Sequence, residues 1–285
     1  MQTPVKRPET ADIHSSAIVD ERARIGENVR IGPWCMVGPH VTLADGVHLH
    51  ASVIVDGHTT LREGVEVYPF VTIGLAPQDL KYAGEPTFCE IGSGTVLREN
   101  VTIHRGTAQG EALTRVGSNC LVMANAHIAH DCLIGDRVII VNNVVMGGHV
   151  EIADDAKVMG SAALHQFVRI GRGAVVGGVC GVEMDVIPYG SVLGNRARLV
   201  GLNWIGLKRS GVAPDEMQAM RRAFRELYPR HGGSETVLEA RIAAVRTEYG
   251  HLPRIAEMLD FMEAPSHRGL TRVARGEGSA DTEGA

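Results

Sequence analysis

An aliphatic residue or methionine recurs at every sixth position through three long stretches of this sequence. The stretches cover positions 13–73, 91–103 and 116–182. A period of six matches neither the repeat of an α-helix nor the alternation of a simple strand. It is typical of a left-handed parallel β-helix, in which each hexad forms one short side and three hexads complete a triangular coil of about 18 residues. The sequence therefore predicts a mainly β fold.

A second apolar slot lies two residues before the members of this series. All five cysteines fall in that slot, namely Cys35, Cys89, Cys120, Cys132 and Cys180. None of them forms a C-x-x-C pair, the spacing typical of zinc and redox sites. Because cysteine behaves as a small apolar side chain when buried, we expect core residues rather than disulfide partners or metal ligands.

The composition excludes several classes of protein. Aromatic residues make up 4% of the chain against 44% for hydrophobic residues, so small and branched aliphatic side chains must build the core. A net charge of −5 and a pI near 6.2 argue against a nucleic-acid-binding protein. Because no apolar run is long enough for a signal peptide or a membrane span, we expect a cytoplasmic protein without stable membrane insertion.

The period of six also divides the chain into segments. Two polar, glycine-rich segments interrupt it at 74–90 and 104–115, and loops that leave a rigid scaffold often carry binding residues. After Val182 the series fades, and apolar residues at three-and-four spacing predict helices. These helices are expected over 213–230, over 234–250 with an N-cap region at 234–236, and over 252–264.

Four segments follow from these patterns. We expect a disordered N-terminus over residues 1–10 and a disordered tail over residues 274–285. Between them, residues 11–191 are predicted to form the left-handed β-helix, and residues 192–273 a small C-terminal α-helical domain.

Four histidines are predicted to lie along one edge of the β-helix. Ile128, Met146 and Leu164 are each one coil apart and should stack in a column. The histidines beside this column are His127, His130, His149 and His165. A lone histidine at a corner is usually a polar surface residue, whereas four on three consecutive coils predict a functional site.

Two kinds of chemistry fit these histidines. Three imidazoles could bind zinc, as in a β-helical carbonic anhydrase. Alternatively, His130 could be a general base for a hydroxyl nucleophile, with Asp131 fixing its tautomer. A backbone N–H of Gly147 or Gly148, one coil further, could then hold an oxyanion. The zinc hypothesis leaves Asp131, the two polar segments and the helical domain without a role.

Six motifs are distributed along the chain: QDLKYAGEPT (78–87), VTIHRGT (101–107), NAHIAHDC (125–132), GGHV (147–150), HQF (165–167) and GLKR (206–209). Together they closely resemble the UDP-N-acetylglucosamine O-acyltransferases, which perform the first step of lipid A biosynthesis. The resemblance covers nearly the whole chain, and its most specific motifs are the DLKYAGEPT and NAHIAHDC segments. It implies a homotrimeric left-handed β-helix with a C-terminal helical domain.

The resemblance also implies an activity and a set of site residues. The family transfers a 3-hydroxyacyl chain from acyl carrier protein to the 3-hydroxyl of UDP-N-acetylglucosamine, and a thioester donor needs no metal or other cofactor. Carried over by motif, the general base is His130, its orienting partner Asp131 and the oxyanion donor the N–H of Gly148. The cleft between subunits would be lined by Asp79, Lys81, His127, His149, His165 and Gln166. Asn203 and Arg209 would face the nucleotide, and Gly178 and Arg196 the acyl chain.

Some positions depart from the family pattern. Ile205 stands where a glutamate is expected, and Ser210 replaces a second arginine. The closest alternative activity is an N-acyltransferase that uses the 3-amino analogue of the sugar. Residues 192–272 hold 13 Lys and Arg against 9 Asp and Glu, so we expect this part of the chain to dock the acidic acyl carrier protein.

Overall fold

The computed structural model describes residues 8–229 and 237–274, which contain 28 strands and four helices. Most strands are two residues long, and they form three sheets that the chain visits in turn, as the sides of a triangular prism. We call these sheets faces A, B and C. All strand pairs are parallel except β27 with β28, so the predicted parallel β-helix is confirmed.

The strands are distributed over the three faces as follows. Face A contains β1 (Asp12–Ile13), β4 (Arg30–Ile31), β7 (His48–Leu49), β10 (Glu66–Val67), β13 (Val96–Leu97), β16 (Leu121–Val122), β19 (Ile139–Ile140), β22 (Lys157–Val158), β25 (Val175–Val176), β27 (Gly190–Leu193) and β28 (Arg198–Leu202). Face B contains β2 (Ile18–Val19), β5 (Met36–Val37), β8 (Ile54–Val55), β11 (Thr72–Leu75), β14 (Thr102–His104), β17 (His127–Ile128), β20 (Val145–Met146), β23 (Ala163–Leu164) and β26 (Gly181–Val182). Face C contains β3 (Arg24–Ile25), β6 (Thr42–Leu43), β9 (His58–Leu61), β12 (Phe88–Ile91), β15 (Leu113–Val116), β18 (Leu133–Ile134), β21 (Glu151–Ile152) and β24 (Arg169–Ile170).

The chain turns at three edges, which we name AB, BC and CA after the faces they join. Residues 177–180 turn at edge AB, residues 129–132 at edge BC and residues 171–174 at edge CA. The pairing of His127 with Val145, and of Val145 with Ala163, gives the expected register of one coil. The register is longer where loops 76–87 and 105–112 leave the prism, at the two interruptions that the sequence predicts.

Aliphatic side chains fill the interior of the prism. The second residue of a typical strand points inward together with the residue two positions earlier, as Val122 and Cys120 or Ile134 and Cys132 do. Parallel strands packed in this way bury continuous aliphatic ladders. All five cysteines are buried and free, as predicted.

Many corner residues other than glycine adopt the left-handed backbone conformation. Asp131, His149 and Phe167 have φ angles of 59°, 59° and 66° and occupy the same corner of edge BC on three consecutive coils. This conformation costs a residue with a Cβ about 1–2 kcal/mol. Because the three residues occupy equivalent positions of the repeat, their side chains lie one above another.

The C-terminal part contains the helices α1 (Trp204–Arg209), α2 (Pro214–Leu227), α3 (Leu238–Tyr249) and α4 (Pro253–Glu263). The three predicted helices correspond to α2, α3 and α4. The predicted N-cap region at 234–236 lies outside the described residues, as do residues 1–7 and 275–285 of the two segments expected to be disordered. None of the helices within the described ranges is both long and apolar enough to cross a membrane.

Residues 192–202, which fall within the predicted helical domain, form strands instead. Val192, Leu199 and Leu202 are buried in a hairpin of β27 and β28, which extends face A with an antiparallel strand. The apolar residues of this stretch alternate over a few positions, and that period favours a strand over a helix. The domain limits at 191 and 273 stay predictions.

After α4 the chain returns to the β-helix as a C-terminal segment, residues 264–274. The backbone N–H of Asp185 donates to Gly269 at 2.8 Å, and the N–H of Thr271 donates to Asp185 at 2.8 Å. The N–H of Leu199 donates to Arg272 at 3.0 Å. The bonds to Asp185 place the segment against the last coils of the prism at edge BC, and the bond to Leu199 continues it to β28 of face A.

Candidate active site

His130 and Asp131 form a buried pair at edge BC. The carboxylate Oδ2 of Asp131 lies 2.8 Å from Nδ1 of His130 and accepts a 2.7 Å bond from the hydroxyl of Thr107. The backbone N–H of Thr107 adds a 3.0 Å bond to Oδ1. Burial alone would raise the pKa of Asp131, but the hydrogen bonds from His130 and Thr107 lower it below its ordinary value. Asp131 is therefore a carboxylate that can only accept.

The Asp131 carboxylate determines the tautomer of His130. Because an ionised carboxylate has no proton to donate, Nδ1 of His130 carries the ring proton and Nε2 is left with a free lone pair. His130 is 9% exposed, so its side chain is close to the surface at edge BC but is only partly hydrated. An imidazole in this state can take a proton from a substrate hydroxyl.

Gly148 lies directly against the His130 ring, one coil along. A Cβ at this position would come within 2.5 Å of Cε1 of His130 and 2.7 Å of Nε2, so the ring occupies the space that a side chain would need. The residue is buried, and its N–H donates to no acceptor in the described parts of the chain. A buried N–H without a partner is rare and is suited to hold a developing oxyanion.

His149 extends the site to the next corner. Its ring meets that of His130 edge-on, with 5.2 Å between centroids, and stacks on Phe167 at 4.7 Å. Its Nε2 is 3.7 Å from Oδ2 of Asp131, too long for a hydrogen bond but close enough for electrostatic attraction. Burial lowers the pKa of His149, against the opposing charge of Asp131.

A cleft of about 420 Å³ opens beside these residues. Its walls are formed by loop 76–87, loop 105–112 and edge BC. Both interruptions of the six-residue series therefore lie against edge BC, beside the histidines. The lining residues are Asp79, Lys81, Thr107, Gln109, Gly110, Glu111, His149, Gln166 and Phe167.

His127 lies on face B next to this edge. Its Nδ1 is 2.7 Å from the hydroxyl of Thr102, and its ring meets that of His104 at 5.0 Å. Burial, followed by the neighbouring charges of His127 and His130, lowers the pKa of His104 to about 4. Burial and the charge of His130 also lower the pKa of His127. Both rings are therefore neutral near pH 7.

The same atoms could in principle receive a metal. Ligand atoms of His130, Asp131 and His149 lie within 4.8 Å of one another. However, Asp131 is already satisfied by His130 and Thr107, and two histidines with one carboxylate fit a general base and its partner equally well. The geometry of this trio therefore does not separate the two hypotheses of the sequence.

Comparison with known proteins shows the family of this chain. The family model for UDP N-acetylglucosamine O-acyltransferase, domain 2, matches residues 185–271, and the model for bacterial transferase hexapeptides matches residues 22–57 and 113–148. An acyl-[acyl-carrier-protein]–UDP-N-acetylglucosamine O-acyltransferase of Rhizobium johnstonii is 42% identical over 269 residues, which are 94% of this chain and 97% of the relative. This chain belongs to the UDP-N-acetylglucosamine O-acyltransferase family.

Solved structures of similar proteins agree with this family. The UDP-N-acetylglucosamine acyltransferase of Francisella novicida is 32% identical with a TM-score of 0.87, covering 91% of this chain and 94% of its own. The UDP-N-acetylglucosamine O-acyltransferase of Moraxella catarrhalis is 37% identical with a TM-score of 0.85, covering 91% and 99%. The resemblance given by the motifs and the left-handed β-helix are thereby confirmed.

The acyltransferase residues expected from the motifs fall into three groups in the structure. The first and largest group lies at or beside edge BC, either on the prism or in the loops against it. It comprises Asp79, Lys81, His127, His130, Asp131, Gly148, His149, His165 and Gln166. This group is brought together by a single chain.

The second group lies at edge AB. Gly178 turns there, and a Cβ on it would meet nothing closer than the Gly160 carbonyl at 3.4 Å. The turn that carries Arg196 runs beside Gly181, three residues further. An acyl chain that follows edge BC from His130 does not meet Gly178 of the same chain. A contact between Gly178 and the acyl chain therefore requires a second subunit.

The third group lies near edge CA. The side chain of Asn203 caps α1 by accepting from the N–H of Gly206 and donates to the carbonyl of Gly173. Arg209 is exposed at the end of α1. Within one chain, these residues are on a different edge from His130, so a contact with the same nucleotide also requires a second subunit.

Sequence reasoning missed several residues of the acyltransferase site. Thr107 and Gly110 lie beside Asp131 in a loop. Because the loop has no six-residue period, the repeat does not predict where its residues lie. Phe167 was detectable, because it follows Asp131 and His149 at the spacing of one coil. His267 and Arg268 contact edge BC from the C-terminal segment, and no local sequence pattern predicts that contact.

Proposed function

We propose that this protein transfers a 3-hydroxyacyl chain from acyl carrier protein to the 3-hydroxyl of UDP-N-acetylglucosamine, the first step of lipid A biosynthesis. One observation carries the proposal: the His130–Asp131 pair lies against the unpartnered N–H of Gly148 at the side of a cleft. A cytoplasmic location belongs to the same proposal.

His130 acts as the general base in this reaction. Its Nε2 takes the proton of the sugar hydroxyl while the hydroxyl oxygen attacks the thioester carbonyl. Asp131 stabilises the imidazolium that forms. When the tetrahedral intermediate collapses, the C–S bond breaks and the proton passes from His130 to the leaving sulfur. The products are an ester and a free thiol, and the balance needs no metal or other cofactor.

Gly148 stabilises the oxyanion of the intermediate. Its N–H is buried and uncommitted, and a donor of this kind costs no rearrangement when charge develops. Replacing a comparable donor in other enzymes reduces kcat by about 10²–10³. The glycine is also required because the His130 ring fills the space of its side chain.

The cleft binds the two substrates. Lys81 and His149 both line it, and a lysine ammonium suits a diphosphate as a point charge. Asp79, Gln166 and His165 add hydrogen-bonding groups for the sugar and for the pantetheine arm. His127, held neutral beside Thr102, completes this wall on face B.

We further propose a homotrimer in which neighbouring subunits complete the cleft. Gly178 with Arg196 and Asn203 with Arg209 lie on edges other than that of His130, so only a second copy can add them to one site. Face B and edge AB also expose large apolar side chains, namely Ile18, Trp34, Met36, Phe70, Val145 and Val179. Large exposed apolar side chains collected on one side of a molecule favour association there.

The homotrimer is tested by light scattering coupled to size exclusion. We expect a mass of three times the 30.5 kDa chain, and a smaller mass for a variant with Trp34→Glu and Met36→Glu. The control is Ile205→Glu, an exposed apolar residue on α1 away from face B. A fully active monomer at micromolar concentration would contradict the proposal.

The general base is tested with His130→Ala in purified protein. Loss of a general base should reduce kcat by about 10²–10⁴, with an unchanged assembly state and melting temperature. His251→Ala, at an exposed histidine on the helical side, is the control and should keep full activity. Near-normal turnover of His130→Ala would refute the assignment.

The acceptor is tested in the same assay. Mass spectrometry of the product from UDP-N-acetylglucosamine and from its 3-amino analogue, each with several acyl carrier donors, gives the acceptor and the chain length. We expect an ester of the hydroxyl sugar as the main product. An amide as the main product would make this chain an N-acyltransferase instead.

A further inference from the structure

The C-terminal segment reaches the candidate active site two coils beyond His130. His267 packs on Phe167 with 5.0 Å between ring centroids, and Phe167 stacks on His149. Ser266 donates to the carboxylate of Asp185 at 2.7 Å. Asp185 is fully buried and its backbone also binds the segment, so the segment is anchored without the side chains of its arginines.

Arg268 makes two contacts with the motif His165–Phe167. Its Nη2 lies 3.0 Å from Nε2 of His165, and its Nε donates to the Gln166 carbonyl at 2.8 Å. A guanidinium has donors and no acceptor, so Nε2 of His165 must offer its lone pair. The ring proton is then on Nδ1, which lies 3.3 Å from the Gln166 carbonyl.

We propose that Arg268 is a positioning residue, which holds His165 as the neutral Nδ1–H tautomer and presents its own positive charge at the cleft. Protonating His165 would break its bond to Arg268 and place two cations 3.0 Å apart. The positive charge that an anionic substrate meets at this wall therefore comes from Arg268 and not from the histidine.

Other charged and titratable groups near His165 are few. Glu183 takes the same register position on the next coil, since Leu164 pairs with Val182. On the cleft side, the nearest groups of edge BC are His149 and His267, and both of their rings pack on Phe167. Among these groups, Arg268 is the one bonded to the His165 ring.

A ligand-free measurement tests the tautomer. Protein labelled with ¹³Cε1-histidine is titrated from pH 5.5 to 8.5, and the His165 signal is assigned with His165→Asn. We expect this signal to stay constant in the wild type and to titrate within this range in Arg268→Met. Arg268→Lys should restore the constant signal. Arg272→Met, at an exposed arginine of the same segment, is the control.

A kinetic measurement tests the charge, and this part rests on the proposed function. Loss of one charge-assisted contact in Arg268→Met should raise the KM for UDP-N-acetylglucosamine roughly tenfold at pH 8. At pH 6 the protonated His165 replaces part of the lost charge, so the defect should shrink. A defect of purely structural origin would not shrink on acidification. The added mutation His165→Asn should abolish this acid rescue.

The outcomes separate the two proposals. A wild-type His165 signal that titrates as in Arg268→Met overturns the inference, and so does a KM defect of equal size at both pH values. If the wild type does not turn over UDP-N-acetylglucosamine, the proposed function fails while the spectroscopic result on His165 still stands.

Discussion

Three reactive side chains at edge BC owe their states to identifiable neighbours. Asp131 fixes the tautomer of His130, the hydrogen bonds from His130 and Thr107 keep Asp131 ionised, and Arg268 holds the lone pair of His165. Such partners convert three ordinary side chains into groups with defined donor and acceptor roles. The consequences can be measured one residue at a time.

Gly148→Ala should reduce kcat while leaving the protein folded. Its backbone does not need a positive φ, but the new methyl group would clash with the His130 ring and displace it from the N–H. We expect a loss of about 10²–10³ in kcat, similar to that of a missing oxyanion donor. Gly160→Ala is the matched control, since its Cβ would meet only ordinary contacts at 3.5 Å or more. Equal activity of both variants would contradict the assignment of Gly148.

His104 should make the fold sensitive to acid. Its pKa is about 4 in the folded chain and about 6.5 when unfolded, so below pH 6.5 the unfolded state binds the proton more readily. Its contribution to stability is complete above pH 6.5 and is lost as the pH falls toward 4. Its Nδ1 has no partner among the described residues.

His104→Phe should therefore lose less stability between pH 7.5 and pH 5 than the wild type. Thermal melts at both pH values, followed by circular dichroism, measure the difference, which we expect to be a few degrees. His251→Phe, at an exposed histidine, should behave as the wild type does. An equal acid sensitivity of His104→Phe would show that other groups determine the effect.

At the scale of strands and corners, the repeat explains how much the sequence could predict. The period of six fixed the inward residues and the coil length, and these placed His130, His149 and His165 on one edge. Thr107 and Lys81 lie in loops with no period, so their contacts with that edge depend on tertiary packing. The hairpin of β27 and β28 was missed because its apolar alternation covers only a few positions, too few for a firm prediction of a strand.

The five buried cysteines give a prediction at the same scale. Burial raises the pKa of Cys89 and Cys132 to about 12 and raises that of the other three thiols as well. Because the thiolate is the reactive form, none of the five should react with a disulfide reagent in the native protein. All five should react after denaturation, and native treatment with N-ethylmaleimide should leave turnover unchanged. Rapid labelling of the folded protein would contradict this expectation.

At the scale of the whole molecule, charge is unevenly distributed. The chain has a net charge of −5, yet exposed basic residues gather on α1 and α2, namely Lys208, Arg209, Arg221, Arg222 and Arg225. Arg221 lies over the Trp204 ring at 5.0 Å, which leaves Arg222 and Arg225 as exposed charges on α2. An acidic carrier protein would be attracted to this helical surface.

Charge reversal at Arg222→Glu with Arg225→Glu should raise the KM for the acyl carrier roughly tenfold at low salt. The difference from the wild type should fade as salt increases, because screening weakens exposed charges. Arg24→Glu, an exposed arginine on an N-terminal coil, is the control and should have little effect. A KM that is independent of both salt and these substitutions would show that the acyl carrier protein binds another surface.

The antiparallel strand β28 has a consequence for polymerisation. A stack of parallel coils could in principle add further coils at both ends, as a fibre does. At the C-terminal end β28 reverses the strand direction on face A, and single bridges to Val186 and Arg196 end the other two faces. At the N-terminal end of the described chain, β1, β2 and β3 are the end strands of the three faces. Growth by strand addition is thus limited to one end, and the product of such growth is a pair of molecules rather than a filament.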